Sequence, residues 1–319
     1  MKVSVIGSGR WGSFLAWYLS RIGEDVLIYG REGSASFEAL RKNRKNEYVT
    51  LPDSVLFSSS LSEALSHADT VVISVGTQSL DAVAHEISRY EGYKTKEYLL
   101  CMKGIETETG RRLSEILTDA LGKVRFAIWV GPGHAEDFTR GIPNCMLIVS
   151  PDPLFSATLR ARYASSLIRF YSSHDLVGCE VGAAAKNVIG IAAGILDGIG
   201  QSSLKGALMA RGPREIARLA AAMGGDERSI FGLCHLGDYE ATLFSAHSHN
   251  RRFGELFAKG ESYDKLAEGV YTVKALMVLG ERYGVSLPIS TAIYRAIYEG
   301  ASIKDEMASL FLREQKDEF

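Results

Sequence analysis

Disulfide chemistry has almost nothing to work with in this 319-residue sequence: its four cysteines, Cys101, Cys145, Cys179 and Cys234, are scattered, none in C-x-x-C spacing. The reading is reduced, buried thiols in a cytosolic protein. Net charge is scarce as well. Thirty-six Lys and Arg against 38 Asp and Glu leave −2 at pH 7, which gives no general footprint for nucleic acid or a membrane surface, while a local basic pocket for a small anion stays open. No basic segment followed by a long apolar run opens the chain, because Met1 and Lys2 lead straight into a strand and a turn; a cytoplasmic location is the expectation. One apolar stretch, residues 181–199, approaches the length of a membrane span, but Lys186, Asn187 and Asp197 interrupt it, so a buried helix is expected and no membrane insertion. Repeats and low-complexity tracts are missing, and only the polar tail 313–319 reads as loose.

Glycine, by contrast, is spent freely at the start. "VIGSGRWGSFLA" (residues 5–16) places Gly7, Gly9 and Gly12 directly after an apolar strand, and each costs roughly 1 kcal/mol against alanine inside a regular element. A dinucleotide explains them: Gly7 for the tight turn, Gly9 for approach of a pyrophosphate, Gly12 for close helix-on-strand packing, with Ser8 and Arg10 beside the phosphates at the helix start. Short β-branched runs recur at 3–6, 25–29, 70–75, 97–102, 126–130 and 145–149, separated by helical stretches. That alternation predicts an α/β fold with a doubly wound, mostly parallel sheet over residues 1–175. Alanine, glycine and helical spacing dominate 176–319, which predicts an all-helical second domain. With 46% hydrophobic residues, both can hold full cores.

At the end of the second strand, where NAD sites place an acid on the ribose, stand Gly30 and Arg31; Arg31 favours a 2′-phosphate, a surface arginine being the alternative. Lys103 follows another strand, and "WVGPGHAED" (129–137) is a strand running through Gly131 and Gly133 into a helix start. In "EVGAAAKNVIGIAAG" (180–194), Lys186 has Gly182, Ala183, Gly190 and Ala193 as helical neighbours. Such a bare face serves close packing or an open volume for a ligand. An ammonium at its centre points to acid–base chemistry on a carbonyl substrate, since burying it unpaired costs several kcal/mol. His235, Asp238, His247 and His249 raise a metal site, but their spacing matches no zinc motif and none is expected. "SHNRR" (248–252) gathers hydroxyl, amide and guanidinium donors suited to phosphate.

In order along nearly the whole chain, "GSGRWG", "KGIE", "GPGHAED", "EVGAAAKNVIGIAAGILDGIG", "LMARG", the GLGD-like "HLGD", "HNRRFG", "EGVYT" and "LPI" resemble the bacterial-type NAD(P)-dependent glycerol-3-phosphate dehydrogenases. The resemblance implies that Lys186 is the catalytic lysine and Lys103 its companion beside cofactor and substrate. It places Gly131, Gly133, Asp238, Ser248, His249 and Asn250 on the substrate, and Trp11, Lys103, Ala135, His249 and Glu268 on the cofactor. The chain departs at Gly133, where serine is usual, and at His249 and Tyr271, where arginines are usual. The expectation is reversible reduction of dihydroxyacetone phosphate to sn-glycerol 3-phosphate between the domains, with NADP or NAD and NADPH preferred, feeding phospholipid synthesis; a homodimer stays open. Two rivals remain: a lysine-dependent reductase of a hydroxy acid or ketopantoate-like substrate, and a non-catalytic nucleotide sensor.

Overall fold

A computed structural model of the chain describes residues 1–314; 315–319, most of the tail read as loose, lie outside the described residues. One sheet contains β1 (Lys2–Ile6), β2 (Asp25–Tyr29), β3 (Leu56–Ser58), β4 (Thr70–Ile73), β5 (Glu97–Leu100), β6 (Arg125–Val130), β7 (Asn144–Val149) and β8 (Ile168–Ser173) in the order β3-β2-β1-β4-β5-β6-β7-β8. All neighbours run parallel except β6 and β7, which pair antiparallel with Ile128 opposite Val149. Interior strands are continuous apolar runs, Val71, Val72 and Ile73 among them, buried on both faces because crossover helices cover the sheet on each side. These are α1 (Arg10–Arg21), α2 (Ala35–Asn43), α3 (Leu61–His67), α4 (Leu80–Ile87), α5 (Leu113–Leu121), α6 (Ala135–Thr139) and α7 (Pro153–Tyr163). Local chemistry sets their starts: Asp152 accepts from the N–H groups of Leu154 and Phe155 at 3.0 and 3.1 Å, and Pro153 takes the first helical position.

The doubly wound sheet agrees with the sequence reading, which missed two strands. β3 is three residues long and leaves no periodic trace. β8 does: buried Ile168 and Phe170 alternate with exposed Arg169 and Tyr171, a half-covered edge strand.

The chain forms two compact units, Met1–Lys103 with Arg111–Leu176, and Gly104–Gly110 with the residues from Val177 onward. A single cut at 175 therefore misplaces one segment. Ile105 is fully buried in the second core, the Glu108 carboxylate accepts from Lys274 at 2.7 Å, and Arg282 donates to the Thr109 carbonyl at 2.5 Å, so 104–110 belongs with the helices. The helices are α8 (Leu176–Gly198), α9 (Lys205–Ala222), α10 (His249–Ala258), α11 (Glu268–Tyr283), α12 (Pro288–Tyr298) and α13 (Ile303–Phe311). α8 is long and apolar enough to cross a membrane, yet its apolar window is entirely buried, which makes it the core helix of this unit. Glu215 of α9, itself buried, caps α12: its carboxylate accepts the N–H groups of Ile289 and Ser290 at 2.7 and 3.0 Å and the Ser290 hydroxyl at 2.6 Å.

Candidate active site

In the first unit, the glycine turn ends β1 beside β4, the place where the strand order reverses. Each glycine has its own physical reason. Gly7 has φ +115°, and a Cβ there would lie 2.3 Å from the Ser74 carbonyl oxygen; one on Gly12 would lie 2.0 Å from the Gly7 carbonyl oxygen. A Cβ on Gly9 would meet nothing within 4 Å, so the backbone there stands open to a ligand at the N-terminus of α1. These residues fit a dinucleotide pyrophosphate. Ser8 lies within the turn, and Trp11 packs on Phe14 and Phe138 with ring centroids at 4.7 and 6.5 Å.

Arg10 is drawn inward: its guanidinium donates to Glu136 at 2.6 Å and to His134 Nδ1 at 3.1 Å. Burial pushes the Glu136 carboxyl up, but the Arg10 hydrogen bond, a backbone hydrogen bond and the charges of Arg10 and His134 together outweigh it, and the pKa ends lowered. What Arg10 offers a phosphate is therefore chiefly its backbone N–H. Gly30 has a packing cause, since a Cβ would sit 2.2 Å from the Phe37 ring, which excludes an acid; Arg31 follows it, exposed and without an ion pair among the described residues.

Lys103 and Gly131 follow the parallel neighbours β5 and β6, and the Lys103 ammonium donates to the Gly131 carbonyl at 2.7 Å. Ala135 is buried at the first position of α6. Gly133 is glycine for a local reason: φ is +145°, and a Cβ would lie 2.3 Å from Phe138. Gly133→Ser should accordingly cost about 1–3 kcal/mol by overpacking and backbone strain, read as a fall in Tm; an unchanged Tm would show that Phe138 yields freely.

In the second unit Lys186 lies in the middle of α8, buried, with Nζ 2.9 Å from Asp238 Oδ2 and donating to Thr242 Oγ1 at 2.8 Å. Thr242 in turn donates to the Asp238 carbonyl at 2.7 Å. The ammonium is thus paired, as burial demands. The bare face around it is a packing face: a Cβ on Gly194 would lie 1.9 Å from the Arg251 carbonyl, and one on Gly190 2.7 Å from Thr242 Cγ2. Thr242 comes from a π-helical turn, Glu240–Phe244, of the kind that often marks functional sites.

The start of α10 gathers the expected phosphate residues. Ser248 caps the helix by accepting the Arg251 N–H at 3.3 Å, which leaves its hydroxyl hydrogen to donate. His249 Nδ1 bonds the Tyr263 hydroxyl. Asn250 bridges inward, donating to Asn187 at 3.0 Å and accepting the Gly269 N–H at 2.9 Å beside Glu268, the first residue of α11. One expectation changes. Arg251, read among phosphate donors, pairs with Asp197 at 2.8 Å, where Lys205 also binds at 2.6 Å. The histidines diverge: His235 is wholly buried and His247 exposed, and the described residues hold no cluster of three or more candidate metal ligands.

A glycine turn at the switch point of a parallel sheet, joined in one chain to a buried Lys–Asp pair in a helical unit, defines a dinucleotide-dependent oxidoreductase. The comparisons narrow the class. Residues 2–155 match NAD-dependent glycerol-3-phosphate dehydrogenase N-terminus, and residues 175–308 the C-terminus of the same enzyme. The chain belongs to the NAD(P)-dependent glycerol-3-phosphate dehydrogenase family. It is 37% identical to glycerol-3-phosphate dehydrogenase [NAD(P)+] of Chlorobium limicola over 100% of this chain and 99% of that one. The glycerol-3-phosphate dehydrogenase of Coxiella burnetii superposes with a TM-score of 0.90 at 26% identity, covering 98% of both chains. A ketopantoate reductase from Ralstonia eutropha, at 17% identity and TM-score 0.64 over 96% of this chain and 100% of that one, shares the fold alone.

Proposed function

We propose that the protein interconverts dihydroxyacetone phosphate and sn-glycerol 3-phosphate in the cytoplasm as a homodimer, running toward glycerol 3-phosphate and phospholipid synthesis. The observation that carries this reading is the buried Lys186 ammonium, held between the Asp238 carboxylate and the Thr242 hydroxyl at 2.9 and 2.8 Å. NADPH or NADH, when bound, supplies the hydride for the carbonyl carbon. Lys186 donates a proton to the carbonyl oxygen as charge develops there, and takes the hydroxyl proton in the reverse direction. Its positive charge stabilises the developing alkoxide, and Asp238 fixes where that charge lies. Lys103 supplies a second cation, held by the Gly131 carbonyl. Ser248, His249, Asn250 and the first-turn N–H groups of α10 receive the substrate phosphate.

Oxidation of NADPH by the purified enzyme with dihydroxyacetone phosphate, set against ketopantoate, tests the reaction. Turnover of ketopantoate alone would overturn it, and light scattering reads the assembly.

Arg31 favours NADPH by a charge-assisted bond to the 2′-phosphate, worth on the order of 1.5–3 kcal/mol, or tenfold to a hundredfold in affinity. Arg31→Ala should weaken NADPH by that factor and leave NADH nearly unchanged in a titration of both. Equal losses would reduce Arg31 to a surface charge.

A further inference from the structure

Behind Lys186 runs a hydrogen-bond chain that the proposed reaction does not use. His235 is completely buried and Tyr239 nearly so. His235 Nδ1 lies 2.8 Å from the Gly182 carbonyl oxygen, and Nε2 2.7 Å from the Tyr239 hydroxyl. A carbonyl only accepts, so Nδ1 carries the hydrogen; Nε2 is then a bare lone pair and accepts the Tyr239 O–H. The imidazole is neutral in a single tautomer. Burial holds its pKa down to about 4, with the Gly182 bond opposing, Lys186 adding to the depression and Asp238 opposing it. The Tyr239 hydroxyl is likewise held protonated, pushed well above its ordinary value by burial and by Glu215.

The ends of this chain give it a purpose. Gly182 lies four residues before Lys186, so its carbonyl is the one that accepts the Lys186 backbone N–H within α8. His235 therefore grips the turn of α8 on which Lys186 rides. At the other end, His235 precedes the 3₁₀ turn Leu236–Asp238, and the Tyr239 carbonyl accepts the N–H groups of Thr242 and Leu243 at 3.0 and 2.7 Å where the π-helical turn begins. Asp238 and Thr242, the two partners of the Lys186 ammonium, both lie on this gripped segment. A π-helical turn is uncommon and needs such tertiary support. A glycine at the first place of the GLGD-like stretch could make neither side-chain bond.

We propose that His235 and Tyr239 are positioning residues for Lys186: the Tyr239–His235–Gly182 chain sets the spacing between α8 and the 235–244 segment, and so places the Asp238 carboxylate and Thr242 hydroxyl on the ammonium. This rests on Lys186 being the proton donor. Three variants test it. Tyr239→Phe keeps the ring and removes one O–H; His235→Leu removes both bonds; His235→Asn keeps an N–H at the Nδ1 position to reach Gly182. Tyr239→Phe and His235→Leu should lower kcat with dihydroxyacetone phosphate by roughly tenfold or more, shift a limb of the kcat–pH profile, and leave the KM for NADPH within about twofold, since uniform cofactor binding is untouched. His235→Asn should recover most of the rate.

Thermal melts identify the folded variants. A lowered Tm with kcat and its pH limbs unmoved would leave the pair a packing device and overturn the proposal. Should the wild type fail to reduce dihydroxyacetone phosphate, the reading of the reaction falls by itself. The positioning claim is then decided by the 15Nζ resonance of Lys186, assigned with Lys186→Arg: its titration midpoint must shift in Tyr239→Phe, and an unshifted midpoint overturns the claim.

Discussion

Lys186→Ala should lower kcat by roughly 10²- to 10⁴-fold while the dissociation constant for NADPH hardly moves. The magnitude follows from two losses at one atom: no proton donor remains for the carbonyl oxygen, and no positive charge remains to meet the alkoxide. The cofactor term stays because the glycine turn and Arg31 lie in the other unit of the chain. One side effect needs a control. Removing the ammonium leaves the Asp238 carboxylate buried without its cation, a situation that costs several kcal/mol unless the acid protonates. Lys186→Ala combined with Asp238→Asn removes that charge and should restore stability without restoring rate. Near-normal kcat in the single variant would end the assignment of Lys186 as proton donor.

The second large effect is on stability in acid. His235 departs from the common case, in which a partner raises the imidazole pKa: here burial lowers it from 6.5 to about 4. The unfolded chain therefore takes up the proton first. The stabilisation is fully present above pH 6.5 and is lost as pH falls toward 4, amounting to about 3 kcal/mol, a large share of a typical domain's 5–15 kcal/mol or so. Urea midpoints at pH 7 and 4.5 should differ more for the wild type than for His235→Asn. Equal pH slopes would mean that His235 titrates normally. Nearer pH 4 and below, Glu24, Glu136 and Asp197 add losses of their own, because cationic partners outweigh burial and hold all three below the ordinary carboxylate range. Glu215 works oppositely. Burial raises its pKa, so its contribution is kept in acid and lost as pH rises through the folded value.

The parts legible in the sequence are those whose cause is local. Gly7, Gly9 and Gly12 lie within six positions, and the Gly12 clash with the Gly7 carbonyl and the openness at Gly9 concern the turn itself, while the Gly7 clash is with Ser74 beyond β4. Lys186 could be singled out because an ammonium among small residues is costly wherever its helix packs. The meeting of Lys186 with Asp238 and Thr242 spans more than fifty residues and depends on a π-helical turn, whose irregular spacing no 3.6-residue pattern reveals. Arg251 shows the opposite error. Its donors suit phosphate, but a carboxylate 54 positions earlier claims them. At Gly133, where the resembled family usually has serine, the Phe138 ring beneath supplies a sufficient steric cause for glycine.

The loop after Lys103 carries an implication for heredity. Seven residues encoded in the first half of the chain fold with helices encoded in the last half: Ile105 sits in their core, Glu108 pairs with Lys274, and Thr109 receives Arg282. Recombination near codon 176 would join a helical half to a foreign copy of this loop. Chimaeras with a crossover there should inherit mismatches at 105, 108 and 109, and function would return when residues 104–110 travel with the C-terminal parent. Exchange of cofactor-binding halves between lineages is thus tied to seven codons that lie inside the donated half.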